Sequence, residues 1–143
     1  MNTYSQPNAA ERQHLTALVN RLTDDELRHP LDTNWTVAGR LAHLAFWDQR
    51  ALGLLQKWQH GGVSPSPVEA DIINDAILPL CVALPPRLAA KLAVSSAEAI
   101  DAAIDALEPA LLADVEAHGT GVRLNRSLHR REHLEQIERA LGH

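Results

Sequence analysis

With a single cysteine, Cys81, among 143 residues, the chain has no means of forming an intramolecular disulfide framework. The surrounding stretch LPLCVAL is apolar and holds nothing that would lower a thiol pKa, so Cys81 reads as a core residue and not as a nucleophile. Also missing is any apolar run long enough to span a bilayer. The opening MNTYSQPNAAERQ has neither the basic nor the apolar region of a secretion signal, so a cytoplasmic protein with no membrane partner is expected. Positive charge is not in excess: 13 Lys and Arg face 18 Asp and Glu, for a net charge of −5. The one basic patch, Arg123, Arg126, Arg130 and Arg131, is diluted by Glu132, Glu135 and Glu138. Nucleic acid is therefore not the expected partner. No stretch of four or more residues alternates as a β-strand would, and no segment repeats.

What is present is ordinary for one globular domain spanning residues 1–143, with 45% hydrophobic and 22% charged residues. Helical spacing dominates. Leu15, Leu18, Val19 and Leu22 mark a first helix, with Asn8 placed to cap it. TDDELRHPLDTN is a connection with one short turn near Asp24 to Leu27. A long second helix follows, capped by Asn34 or Thr36 and stopped by Gly61-Gly62. After the loop GGVSPSP, a shorter helix carries Ile72, Ile73, Ile77, Leu80 and Leu84 as its apolar stripe, with Pro79 expected to kink or end it. Another segment starts near Arg87. Ser95, three residues before Glu98, is placed to cap a further helix with Ile100, Ile104, Leu107, Leu111 and Val115 inward and a bend at Pro109. Gly119 and Gly121 turn the chain into the last helix. The sum is an all-α four-helix bundle with an extra short helix between the second and third long ones.

The last helix, RSLHRREHLEQIERAL, carries two histidines four residues apart, and residues so spaced stack on one helical face. The stripe running from His129 through His133 continues to Ile137 and Leu141, while Arg130, Arg131, Glu132, Glu135, Glu138 and Arg139 fall mostly elsewhere. The histidines thus point where the apolar residues point. His43 sits inside the apolar run of the second helix, and a buried imidazole needs a partner. Ligands projecting inward from different helices are how bundles build metal sites. An empty cluster of core histidines is the competing interpretation.

The phrase NWTVAGRLAHLAFWDQRAL, with Trp35 ahead of a helix and His43 eight residues later, is followed near the C-terminus by HRREHLEQIERAL. Together these motifs resemble the DinB-like family and its relatives among mycothiol-dependent maleylpyruvate isomerases, over nearly the whole chain. The resemblance implies that His43, His129 and His133 bind a divalent metal, zinc or nickel. It further implies a metal-dependent thiol S-transferase using a low-molecular-weight thiol such as mycothiol, bacillithiol or glutathione on a small electrophile, with a homodimer as the family-level assembly. A non-catalytic, stress-associated metal- or ligand-binding protein and a metal-dependent hydrolase are the alternatives. The chain departs from the isomerase branch in having His129 where a glutamate is typical, and it stops at His143 without the isomerase's additional domain. Activity on maleylpyruvate is therefore not expected.

Remaining candidates take structural roles. Asp48 is expected in a cap or salt bridge, Trp35 and Trp47 in packing, and His14 at the surface or in a hydrogen bond without a charged partner. His29, His60, His118 and His143 lie at loops or ends and are expected in solvent. Arg126 and Arg130 read as a solvated face, with the holding of an anionic substrate group as the other possibility.

Overall fold

The computed structural model describes residues 2–143, which form an all-helical bundle. Its four long helices are α1 (Ser5–Arg21), α3 (Val37–Gly61), α5 (Pro86–Asp105) and α7 (Ser127–Leu141), joined through the shorter α2 (Asp24–Arg28), α4 (Ala70–Ala83) and α6 (Pro109–His118). The extra helix between the second and third long ones is α4. Helix α3 packs most extensively on α5, and α1 packs on α7 and α5. No helix among the described residues is long and apolar enough to cross a membrane.

Local chemistry explains the boundaries. Thr36 caps α3, its hydroxyl accepting from Gly39 N at 2.9 Å, and Thr23 with Glu26 closes a capping box on α2. A Cβ on Gly39 would lie 2.9 Å from Val82 Cγ1, so glycine lets α4 lie close to the start of α3. Pro86 and Pro109 each take the first turn of a helix, where the missing N–H costs nothing.

Several expected boundaries move. Helix α1 begins at Ser5, so Asn8 lies inside it and is not its cap. No cap forms at Ser95. One helix runs from Pro86 to Asp105, because Ala89, Ala90, Ala93 and Ala97, all fully buried, continue its inward face through that point. Ser95 turns back to Leu92 O instead, and Ser96 accepts from Gln49 Nε2 at 3.0 Å. The expected bend at Pro109 is a full break that starts α6, so Ile100 and Ile104 share α5 while Val115 belongs to α6. Helix α4 continues through Pro79 to Ala83, and only Ile77 and Cys81 are buried on it. Ile72 and Leu80 are 63% and 68% exposed, because α4 lays only one narrow stripe on the bundle.

The core is split in two. One cluster gathers Leu15, Leu18, Leu41, Leu44, Leu134 and Ile137, and the other gathers Leu55, Trp58, Ile100, Ile104, Val115 and Leu124. Between them along the four long helices lie Asn8, Asp48, Asp101, Arg126 and Arg130, all buried polar groups.

Candidate metal centre

Helix α3 places His43 two turns into its length, 2% exposed, and α7 places His129 and His133 one turn apart against it. The structure brings these three residues together: one ring nitrogen of each lies within 4.8 Å of the others. The ring centroids stand 4.8 to 5.1 Å apart, with the rings edge to face. His43 Nε2 and His129 Nε2 are 3.1 Å apart. Two nitrogens bound at about 2.0–2.1 Å to one tetrahedral ion would stand about 3.3 Å apart, so the donor set suits an ion of that size.

Electrostatics agrees with that donor chemistry. Burial pushes the His43 imidazole down to about 3, helped by His133 and Arg40. Burial likewise takes His129 to about 2, with His133, His43, Arg126 and Arg123 adding to it. His133 is lowered too, by burial first, although Gln136 opposes the shift. All three are therefore neutral near pH 7, as metal-binding imidazoles must be. Gln136 Oε1 accepts from His133 Nδ1 at 3.2 Å, which leaves Nε2 as the lone-pair nitrogen. His43 Nδ1 is buried without a partner.

The cluster opens on a cleft of about 760 Å³ whose lining includes Arg40, Trp47, Arg50, Arg123, Glu132 and Leu128. Trp47 is fixed by donating Nε1–H to Asn74 Oδ1 at 2.9 Å. Trp35 packs edge-on to His43 and carries the Arg40 guanidinium 4.7 Å above its ring. One lip of the cleft is a lock between two loops: Arg50 donates to Gly121 O at 2.6 Å and Ser66 O at 3.0 Å, and Ser66 N donates to Thr120 O at 2.7 Å. Gly121 has φ +97°, and a Cβ there would run into the Ser66 carbonyl, so glycine is required for the loops to meet.

Below the histidines lies a network that overturns the solvated-face expectation for Arg126 and Arg130. These side chains are 8% and 1% exposed. Arg130 forms a two-pronged pair with Asp101 at 2.8 and 2.9 Å and reaches Asp48 at 3.4 Å. Arg126 pairs with Asp48 at 2.9 Å, and Arg12 with Asp101 at 2.6 Å. All four long helices contribute. Asp48 thus has the salt-bridge role expected of it. Asn8, misplaced as a cap of α1, caps α7 from outside: Oδ1 accepts from Arg126 N at 2.8 Å and Ser127 N at 3.1 Å, Nδ2 donates to Leu124 O, and its carbonyl accepts from Arg130. Asn8 and the arginines therefore set where His129 and His133 begin.

Sequence reasoning passed over Asp101 in this network and Arg40 in the cleft lining. A signal for Arg130 existed. It lies four residues before Leu134 and seven before Ile137, both fully buried, so it continues the inward stripe. Glu132 is exposed, as its place off the inward stripe implies, and also lines the cleft. Among the other histidines, His29, His60 and His118 are exposed as expected. His143 touches Glu26 at 2.8 Å, and His14 has two partners, Glu11 at 3.0 Å and Glu138 at 2.8 Å.

A family model described as the DinB superfamily matches residues 9–143. No curated protein and no solved structure matches the chain.

Proposed function

Because the chain belongs to the DinB superfamily, we propose that His43, His129 and His133 bind zinc or nickel and that the protein transfers a low-molecular-weight thiol to a small electrophile. The observation that carries this reading is the convergence of three neutral imidazole nitrogens within 4.8 Å at the wall of a cleft. His43, His129 and His133 would hold a divalent ion, which would supply Lewis-acid activation of a thiol near neutral pH. The protein's own part is positioning. Gln136 fixes the His133 tautomer, the network beneath α7 holds His129 and His133 in register with α3, and the cleft has the volume of a small-molecule site.

Elemental analysis of protein purified without a histidine tag tests the metal part. About one equivalent of metal, absent from His43→Ala and His133→Ala, supports it; no metal after supplementation with Zn²⁺, Ni²⁺ and Mn²⁺ overturns it. Consumption of mycothiol, bacillithiol or glutathione with a small electrophile then tests the transfer. Metal without thiol consumption would leave the hydrolytic or non-catalytic alternatives.

A further inference from the structure

The cleft beside the histidines departs from the charge of the rest of the chain. The protein is acidic, at −5, yet the cleft lining holds four arginines and a single carboxylate, Glu132. These arginines are not equally committed. Arg50 spends its donors on two backbone carbonyls and the Ser66 hydroxyl, and Arg126 spends its own on Asp48 and the Arg123 carbonyl. Arg40 differs. Its guanidinium carbon stands 4.7 Å from the centre of the Trp35 ring, the residue is more than nine-tenths buried, its Nε has no acceptor, and its single ion pair is a 3.3 Å contact to the exposed Asp32. A buried guanidinium N–H without an acceptor is costly, and a guanidinium edge suits the two oxygens of a carboxylate. Arg123 is exposed on the loop that precedes α7 and lines the same cleft. The two arginines flank the histidines from different elements: Arg40 acts on His43 and His133, and Arg123 on His129.

We infer that the small molecule bound in this cleft bears a carboxylate, gripped by Arg40 with support from Arg123, so that its reacting group lies against the three histidines. This rests on the reading of those histidines as the reactive centre. A rearrangement of the Arg40 side chain would bring this free N–H to the cleft that the residue already lines. A singly charged carboxylate fits better than a phosphate dianion, because only one of the two available guanidinium groups, Arg40, is buried and held in place, and Glu132 repels added negative charge.

The test titrates propionate, a monocarboxylate, into metal-free and metal-loaded protein at low ionic strength, following tryptophan fluorescence, with melting and metal content recorded on the same samples. Saturable binding is expected in both forms, since the arginines act without the metal. Arg40→Gln should weaken it about 10- to 100-fold. Arg40→Lys, which keeps the charge and loses the fork, should fall in between, and the exposed Arg123→Gln should weaken binding several-fold without a folding risk. Glu132→Gln should tighten it roughly 3- to 10-fold by removing the repelling charge. No saturable binding at tens of millimolar, unchanged affinity in folded Arg40→Gln and Arg123→Gln, or tighter binding of inorganic phosphate than of propionate would overturn the inference. Metal content separates the two readings: arginine-dependent binding in protein that takes up no metal sinks the metal reading alone, while metal uptake with arginine-independent propionate binding sinks this one alone.

Discussion

Two polar clusters sit about a turn apart in the same bundle, and they are built on opposite terms. In the Arg–Asp network every buried charge has a direct counter-charge, although Arg130 Nε has no acceptor: Asp48 faces Arg126 and Arg130, and Asp101 faces Arg12 and Arg130. In the histidine cluster the groups are neutral, two of their nitrogens face one another at 3.1 Å, and His43 Nδ1 has no partner. A polar layer whose charges are all paired serves the fold. One whose neutral nitrogens converge on a cleft could instead hold an ion.

The contrast is sharpest at Asp101. Asp101→Ala would leave Arg130 buried at 1% exposure with its two-pronged partner gone, and breaking a buried pair from one side costs about 3–5 kcal/mol. Urea unfolding of the metal-free protein should show a loss of that size, with α7 released from α5. A loss below about 1 kcal/mol would mean that the network is as dispensable as surface ion pairs are.

Asn8→Ala comes next. The change removes the acceptor for Arg126 N, one of the two acceptors of Ser127 N, and the donor to Leu124 O, and a lost cap together with orphaned buried groups is worth about 2–3 kcal/mol. The same variant should lower metal affinity, because α7 carries two of the three histidines and loses the contact that sets its start. Stability and metal titration moving together would tie the network to the site; stability moving alone would separate them.

How these features related to the sequence depends on the kind of signal each one leaves. The long helices were legible because apolar residues recur on one face of each, and His43, His129 and His133 were legible because they fall on those faces. Asn8 was misread because its partners lie more than a hundred residues away, and capping heuristics consider only the nearest helix. Arg126 and Arg130 were misread because a long charged side chain on a helix is usually solvated. Their burial follows from Asp48 and Asp101, which lie on the inward faces of α3 and α5, and that pairing is tertiary information. Ser95 looked like a cap because local chemistry there permits one, but the buried alanine face of α5 overrode it.

At the histidines the expected stability effect nearly vanishes. Replacing His43 by leucine removes a buried, unpartnered polar nitrogen and keeps a similar volume, so metal-free His43→Leu should match the native chain within about 1 kcal/mol. Added Zn²⁺ or Ni²⁺ should raise the melting temperature of the native chain, since an ion at a hundredfold excess over its dissociation constant stabilises by about 2.7 kcal/mol. The variant should not respond. A large metal-independent loss in His43→Leu would place the histidines in the same structural class as Asp101 and erase the distinction between the clusters.

The smallest effect tests whether any histidine of this chain is held in the charged form, the reverse of the three at the cleft. His14 lies between Glu11 of its own helix and Glu138 of α7, with Arg131 and Arg21 paired to those carboxylates. Burial alone would lower its pKa, but the two carboxylates outweigh burial and raise it above its ordinary 6.5. A raised folded-state pKa means that the contribution to stability is complete below about pH 6.5 and is lost as the pH climbs through the folded value. Glu11 is shifted the other way, below 4.5, its burial outweighed by His14 and Arg131, so its contribution fades only in acid. His14→Gln should therefore cost under about 1 kcal/mol near pH 6, and that difference should close as melts are repeated at rising pH. A deficit that stays constant from neutral to alkaline pH would show that His14 joins α1 to α7 by packing and neutral hydrogen bonds, with no part played by its charge.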